Sequence, residues 1–134
     1  MCGRYAAAKD PAALVEEFEV DAPPAEDLKP DYNVAPTKKV YLVVDRTMDE
    51  RRERALVTGR WGLVPSWAKD PSIGSRMINA RAETVAEKPA FRRAFAKRRC
   101  LIPADGYYEW YTPTDPTAPV GRSGKPVKIG RAHV

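Results

Sequence analysis

Lys39-Val40-Tyr41-Leu42-Val43-Val44 is the stretch from which the fold is read, because five of its six residues are β-branched, aromatic or leucine and none forms turns. Side chains of this kind fit a pleated, buried surface, so a buried strand is expected there. The charged segment from Asp45 to Arg52 is expected to be a turn or loop, with Leu56 to Val64 as the returning strand. On the upstream side lies Tyr32-Asn33-Val34-Ala35-Pro36-Thr37. Before it, Asp21 to Pro30 carries Pro23, Pro24 and Pro30 among acidic residues and reads as an extended surface connection. Asp10-Pro11 supplies an N-cap followed by proline at the first helical position, and Leu14, Val15 and Phe18 recur at helical spacing. One short amphipathic helix is expected, ending near Glu19.

Downstream of the hairpin, Arg60-Trp61-Gly62-Leu63-Val64-Pro65-Ser66-Trp67 sets two tryptophans around a glycine and a proline, which predicts a rigid aromatic loop. From Ile78 to Thr84 the residues alternate, so in an extended chain Asn79, Arg81 and Glu83 share one face, Asn79 and Arg81 about 7 Å apart. Thr84 opens a second expected helix, with Phe91 and Phe95 as its apolar face, ending near Arg99. Cys100-Leu101-Ile102 resumes the sheet, Cys100 packing in the core. After a turn at Pro103-Ala104-Asp105-Gly106, Tyr107 to Tyr111 forms a strand that carries Glu109 among aromatics. Thr112 to Lys128 reads as a long hairpin loop whose far strand is missing. The last six residues, Ile129 to Val134, match the translation of a common sequencing-adapter sequence. The expected organisation is therefore one domain over residues 1–128, truncated at its C-terminus, with 129–134 a non-native tail.

At 134 residues, 43% hydrophobic and 31% charged, the chain has the composition of one soluble domain. Its two cysteines give neither a disulfide framework nor a zinc spacing, which fits a reducing compartment, and no metal or cofactor is called for. No apolar run approaches the roughly 20 residues of a membrane helix, and the start has no signal-peptide pattern. A cytoplasmic, nucleoid-associated protein without a membrane partner is expected. The net charge of +5 permits a nucleic-acid partner without requiring one. Arg92, Arg93, Lys97, Arg98 and Arg99 cluster, as solvated helix faces often do.

The chemistry is suggested by Met1-Cys2-Gly3-Arg4. Loss of Met1 would expose a cysteine with a free α-amine and a thiol on adjacent carbons. Such a 1,2-aminothiol captures an aldehyde twice, first as a Schiff base and then by closing a thiazolidine ring; near neutral pH both groups are partly in their reactive forms. An internal cysteine has no free amine and cannot do this.

Four stretches in order carry a family resemblance: Met1 to Arg4, Tyr32 to Pro36, Trp61 to Trp67 with Ile78 to Thr84, and Arg99 to Trp110. Together they resemble the SRAP family, the SOS-response-associated peptidase domain, whose members shield abasic sites in single-stranded DNA by crosslinking to them. The resemblance implies an α+β fold, a curved, barrel-like mixed sheet flanked by helices. It implies catalytic roles for Cys2 as nucleophile, Asn79 in positioning the reacting groups and Glu109 in proton transfer. It also implies DNA contacts for Arg4, Asn33, Trp67 and Arg81. The partner would be single-stranded DNA containing abasic sites, linked through a thiazolidine at Cys2. The family name refers to a self-cleaving peptidase activity that exposes the cysteine, unnecessary where Met1 alone precedes it; a lyase-like activity is also implied. The family's catalytic histidine would fall beyond this chain, and His133 is given no role. The alternative from another class is a non-covalent single-strand-binding module made inactive by truncation. For Arg81 the plain structural alternative is a surface ion pair, for Glu109 a salt-bridged strand residue. Trp61 is expected in the core.

Overall fold

A computed structural model describes residues 2–111 and 128–132, with 110, 111 and 128–132 described as backbone only. Asp10 accepts a hydrogen bond from the Ala12 N–H at 2.8 Å and Pro11 fills the first turn, so helix α1, Pro11–Glu17, begins where the capping residues direct. The segment from Asp21 to Pro30 contains no strand or helix beyond an isolated parallel bridge between Ala22 and Ala55.

The hairpin read from the sequence is longer than expected. Strand β3, Lys39–Met48, pairs antiparallel with β4, Arg51–Arg60, along their whole lengths. Asp45 to Arg52 is therefore mostly strand, and only Asp49 and Glu50 turn, with φ of 48° and 67°. The charged residues extend the ladder by pairing across it: Arg46 with Glu53 at 2.8 Å, and Arg52 and Arg54 with Asp45 at 2.7 and 3.1 Å. The apolar half of β3 is buried on both faces. Tyr41 and Val43 pack with Leu14 and Val20, against Val15 and Phe18 of α1 and its flank, while Val40 packs with Tyr5, Val34 and Trp61. Two-sided burial explains why Lys39 to Val44 reads as a continuous apolar run.

The second sheet has four antiparallel neighbours, in the order β2 (Asp31–Val34), β1 (Arg4–Ala7), β5 (Gly106–Tyr111), β6 (Lys128–Ala132). The molecule is thus a small mixed α and β domain with antiparallel sheets and few helices. Among the described residues there are two separate sheets and no closed barrel, which corrects the expectation of one barrel-like mixed sheet. The physical reason lies at the hairpin edges, where continuation is limited to the isolated bridges Val43 to Leu101 and Ala22 to Ala55. The far strand expected to be missing is present as β6, paired with β5 from Tyr107–Ala132 to Tyr111–Lys128. Of the loop expected over 112–128, residues 112–127 lie outside the described residues and Lys128 begins β6.

Three further readings are corrected. The extended reading of Ile78 to Thr84 stops before Ala82: the segment leaves the 3-10 helix Pro71–Arg76 as chain outside any strand and enters a run of turns at Ala82, so Glu83 is not part of an extended face with Asn79 and Arg81. The second helix, expected from Thr84, is only α2, Arg92–Lys97, because Pro89 has no N–H to donate and interrupts the turns that begin at Ala82. Cys100 is exposed rather than core, and Leu101 joins the hairpin by a single bridge.

Candidate functional site

Residue 2 sits at the open end of β1, where three parts of the chain meet. The Asn79 side-chain amide donates to the Cys2 carbonyl oxygen at 2.8 Å, across 77 positions of sequence. The half-buried Cys2 thiol lies 3.4 Å from the Arg4 carbonyl oxygen, and the residue packs against the cluster of Tyr5, Val34, Val40 and Trp61. Arg4, exposed on β1, donates to the Asn33 side-chain oxygen at 3.0 Å. Asn33 is itself set by Asp31, whose carboxylate accepts the Asn33 backbone N–H at 2.9 Å and the Lys38 ammonium at 2.6 Å. The Lys38 hydrogen bond, then the Asn33 N–H, hold the Asp31 carboxyl below the usual carboxylate range, with Arg4 adding a smaller effect.

Glu109 reaches the same end of the sheet through register. Tyr108 pairs with Arg4, so Glu109, the next residue of β5, lies across from the start of β1, half-buried. Two contacts lock this register. The Tyr108 hydroxyl donates to the Tyr32 carbonyl at 2.7 Å, spanning β1 to reach β2. Asp105, whose backbone N–H donates to the Ala6 carbonyl at 2.8 Å, accepts the Ala8 N–H at 2.5 Å. Local sequence singles out neither Tyr108 nor Asp105 for these contacts, and Asp105 reads only as part of a turn; its Asp-Gly pair just ahead of a strand is the available signal.

The loop from Trp61 to Trp67 positions Asn79 indirectly. Leu63 donates its N–H to the Met77 carbonyl at 3.0 Å, and Met77 donates to Gly74 at 3.1 Å, so the 3-10 helix is docked on this loop and delivers the chain to Asn79. Trp61 is buried, its ring edge-on to Tyr5 with centroids 5.2 Å apart. Trp67 is 58% exposed. Cys2, Arg4, Asn33 and Asn79 are thus joined by hydrogen bonds, and Glu109 adjoins them by strand pairing. Arg81 and Trp67 are exposed, on segments that no hydrogen bond described above joins to these five. Among the described residues no group of three or more His, Cys, Asp or Glu could hold a metal ion, and no helix is long and apolar enough to cross a membrane.

A half-buried thiol beside a clamping amide, a cation and an adjacent carboxylate is a constellation suited to capturing an electrophile. Comparisons with known proteins give the family. The family model described as SOS response associated peptidase (SRAP) matches residues 1–129. The abasic site processing protein YoaM of Bacillus subtilis is 44% identical over 111 residues, 82% of this chain and 47% of that protein. The abasic site processing protein HMCES of Mus musculus is 39% identical over 89 residues, 60% of this chain and 25% of that protein. The chain therefore spans about half the length of the bacterial relative. A crystal structure of a Bacteroides thetaiotaomicron protein superposes with a TM-score of 0.66 over 97% of this chain and 58% of its own; at 21% identity it speaks for the fold alone. A family match over residues 1–129 shows that this protein belongs to the SOS response associated peptidase (SRAP) family.

Proposed function

We propose that this protein processes abasic sites in single-stranded DNA by linking itself to them through Cys2. The observation that carries the reading is the 2.8 Å hydrogen bond from Asn79 to the Cys2 carbonyl, which fixes residue 2 beside Arg4 and the Glu109 end of β5. Removal of Met1 frees the α-amine. The open sugar of an abasic site presents an aldehyde, and the amine condenses with it to an imine, releasing water. The Cys2 sulfur then adds to the imine carbon; a C–S bond forms, the C=N π pair goes to nitrogen, and the thiol proton follows it. The product is a five-membered thiazolidine. Glu109 serves as the proton carrier, assisting opening of the closed sugar and loss of water from the carbinolamine. Arg4, oriented by Asn33, and Arg81 neutralise phosphates on either side of the lesion, and Trp67 stacks on a base.

The test is a time course on a single-stranded oligonucleotide with one abasic site, resolved on a denaturing gel, with binding measured in parallel. Wild type should give an adduct that survives denaturant without reductant. Cys2→Ala keeps the amine and should give an adduct only when borohydride traps the Schiff base. Glu109→Gln should slow crosslinking about 10²–10⁴-fold, the usual worth of general acid–base catalysis, while binding hardly changes. A stable adduct from Cys2→Ala without reductant would refute the thiazolidine, and a wild-type complex that dissolves in denaturant would leave a non-covalent single-strand-binding module.

A further inference from the structure

A second groove lies away from Cys2, between the Trp67 loop and α2. It has a volume of about 230 Å³ and is bordered by Pro65 and Trp67 on one side and by Arg92, Arg93, Ala94 and Arg98 on the other. A shallower depression of about 290 Å³ continues from it, formed by Ser66, Arg93, Lys97 and Arg98. No carboxylate lines either one. Among the described residues, no ion pair engages Arg92, Arg93, Lys97 or Arg98, whereas Arg46, Arg52 and Arg54 on the hairpin are each matched to a carboxylate. Three hairpin arginines are thus matched to carboxylates, whereas the four cations beside the exposed Trp67 indole are not. A row of cations held together against their own repulsion is complementary to a polyanion.

Size and chemistry narrow the occupant. The groove is smaller than the roughly 300–1,000 Å³ of pockets that enclose drug-sized molecules, and it is open along one side, which suits one planar base with its phosphate running on into the depression. Trp67 offers a π-face that any base can stack on, and Arg93 and Arg98 line both cavities, where a backbone phosphate would pass.

We propose that this groove is a nucleotide subsite for undamaged single-stranded DNA flanking the lesion, with a base on Trp67 and the adjoining phosphate between Arg93 and Arg98. The inference rests on the abasic-site reading for its substrate and for the base on Trp67, and adds Arg93 and Arg98, which that reading does not use. It makes α2 a determinant of strand length, since only strands long enough to reach from Cys2 to the groove gain its contacts.

The test uses the full chain and fluorescein-labelled oligothymidylates of increasing length, without lesions, in an anisotropy titration over a salt series. Wild-type affinity should rise with length and then level off. In the double variant Arg93→Ala/Arg98→Ala the gain on lengthening should collapse, and the slope of log affinity against log salt should fall by about 0.7 for each phosphate that is no longer neutralised. The Arg93→Lys/Arg98→Lys variant should restore the salt slope. Trp67→Ala should weaken long-strand binding about 5- to 150-fold with the salt slope retained, as removal of a stacking partner does. Circular dichroism spectra matching wild type exclude misfolding; a variant that misfolds is replaced by Arg93→Gln/Arg98→Gln. If the arginine variants keep the wild-type length dependence and salt slope, the groove is not a subsite. The abasic-site reading would then still stand wherever the wild type crosslinks a lesion-bearing strand. Absence of crosslinking alongside an intact length dependence would remove that reading and keep the groove.

Discussion

Gly62 adopts φ +124°, and a Cβ built there would collide with the Gly74 carbonyl oxygen, so both backbone conformation and space demand glycine. This close approach docks the 3-10 helix on the tryptophan loop and so sets where the chain emerges towards Asn79. Gly62→Ala should therefore destabilise the protein by at least about 1–2 kcal/mol, the cost of left-handed geometry for an L-residue, with the clash added. Thermal unfolding measures the loss. Because the substitution also moves the 3-10 helix, crosslinking should slow in the folded fraction, whereas a change at a remote surface loop would cost stability alone. Among site residues, Cys2, Asn79 and Glu109 can be picked out from motifs; the Tyr108 and Asp105 contacts cannot, because a hydroxyl spanning one strand to reach the next is invisible in local sequence.

The hairpin shows how an element can be recognised and still be misjudged in length. Its buried half is plain, since valines, a tyrosine and leucines face packed layers on both sides. The outer half carries charges that look like loop until Arg46 meets Glu53 and Arg54 meets Asp45 across the ladder. The turn itself places Asp49 and Glu50 in left-handed geometry, the arrangement of a two-residue turn that favours asparagine and glycine. Asp49→Asn with Glu50→Gly should relieve that strain and raise stability by about 1 kcal/mol in thermal or urea unfolding. No gain would mean that the turn is strained in the unfolded ensemble as well or frayed in the native one. The second helix errs in the opposite direction, shorter than its phenylalanine spacing suggests, because Pro89 breaks the run of turns ahead of α2.

At the scale of the whole molecule, Tyr5 ties the two sheets together, packing with Val34 of β2, Val40 of β3 and Trp61 beyond β4. Its hydroxyl is buried and, among the described residues, has no hydrogen-bond partner. Burial, and then the nearby Asp31 and Cys2, push its phenol from 10.0 up to about 12. The folded state thus holds this proton after the unfolded chain has begun to lose it, so stability is fully present below pH 10 and falls as pH rises from 10 towards 12. Tyr5→Phe should lessen that alkaline decline and, by removing an unsatisfied hydroxyl, leave stability at pH 7 equal or about 1 kcal/mol higher. Urea titrations at pH 7 and across the alkaline range would show it; a variant as alkali-sensitive as wild type would move the decline to other groups. The sequence by itself determined the first helix, the existence of the hairpin, the strand around Glu109 and the family, because capping, β-branched runs and short motifs act through neighbours along the chain. Only the tertiary structure decided that the strands form two sheets rather than one curved one, that Ile78 to Thr84 stays unpaired, and that Asn79 reaches back to Cys2. Those outcomes depend on which hydrogen-bonding edges meet and on how far side chains reach between segments as many as 97 positions apart, and no local pattern of residues encodes that.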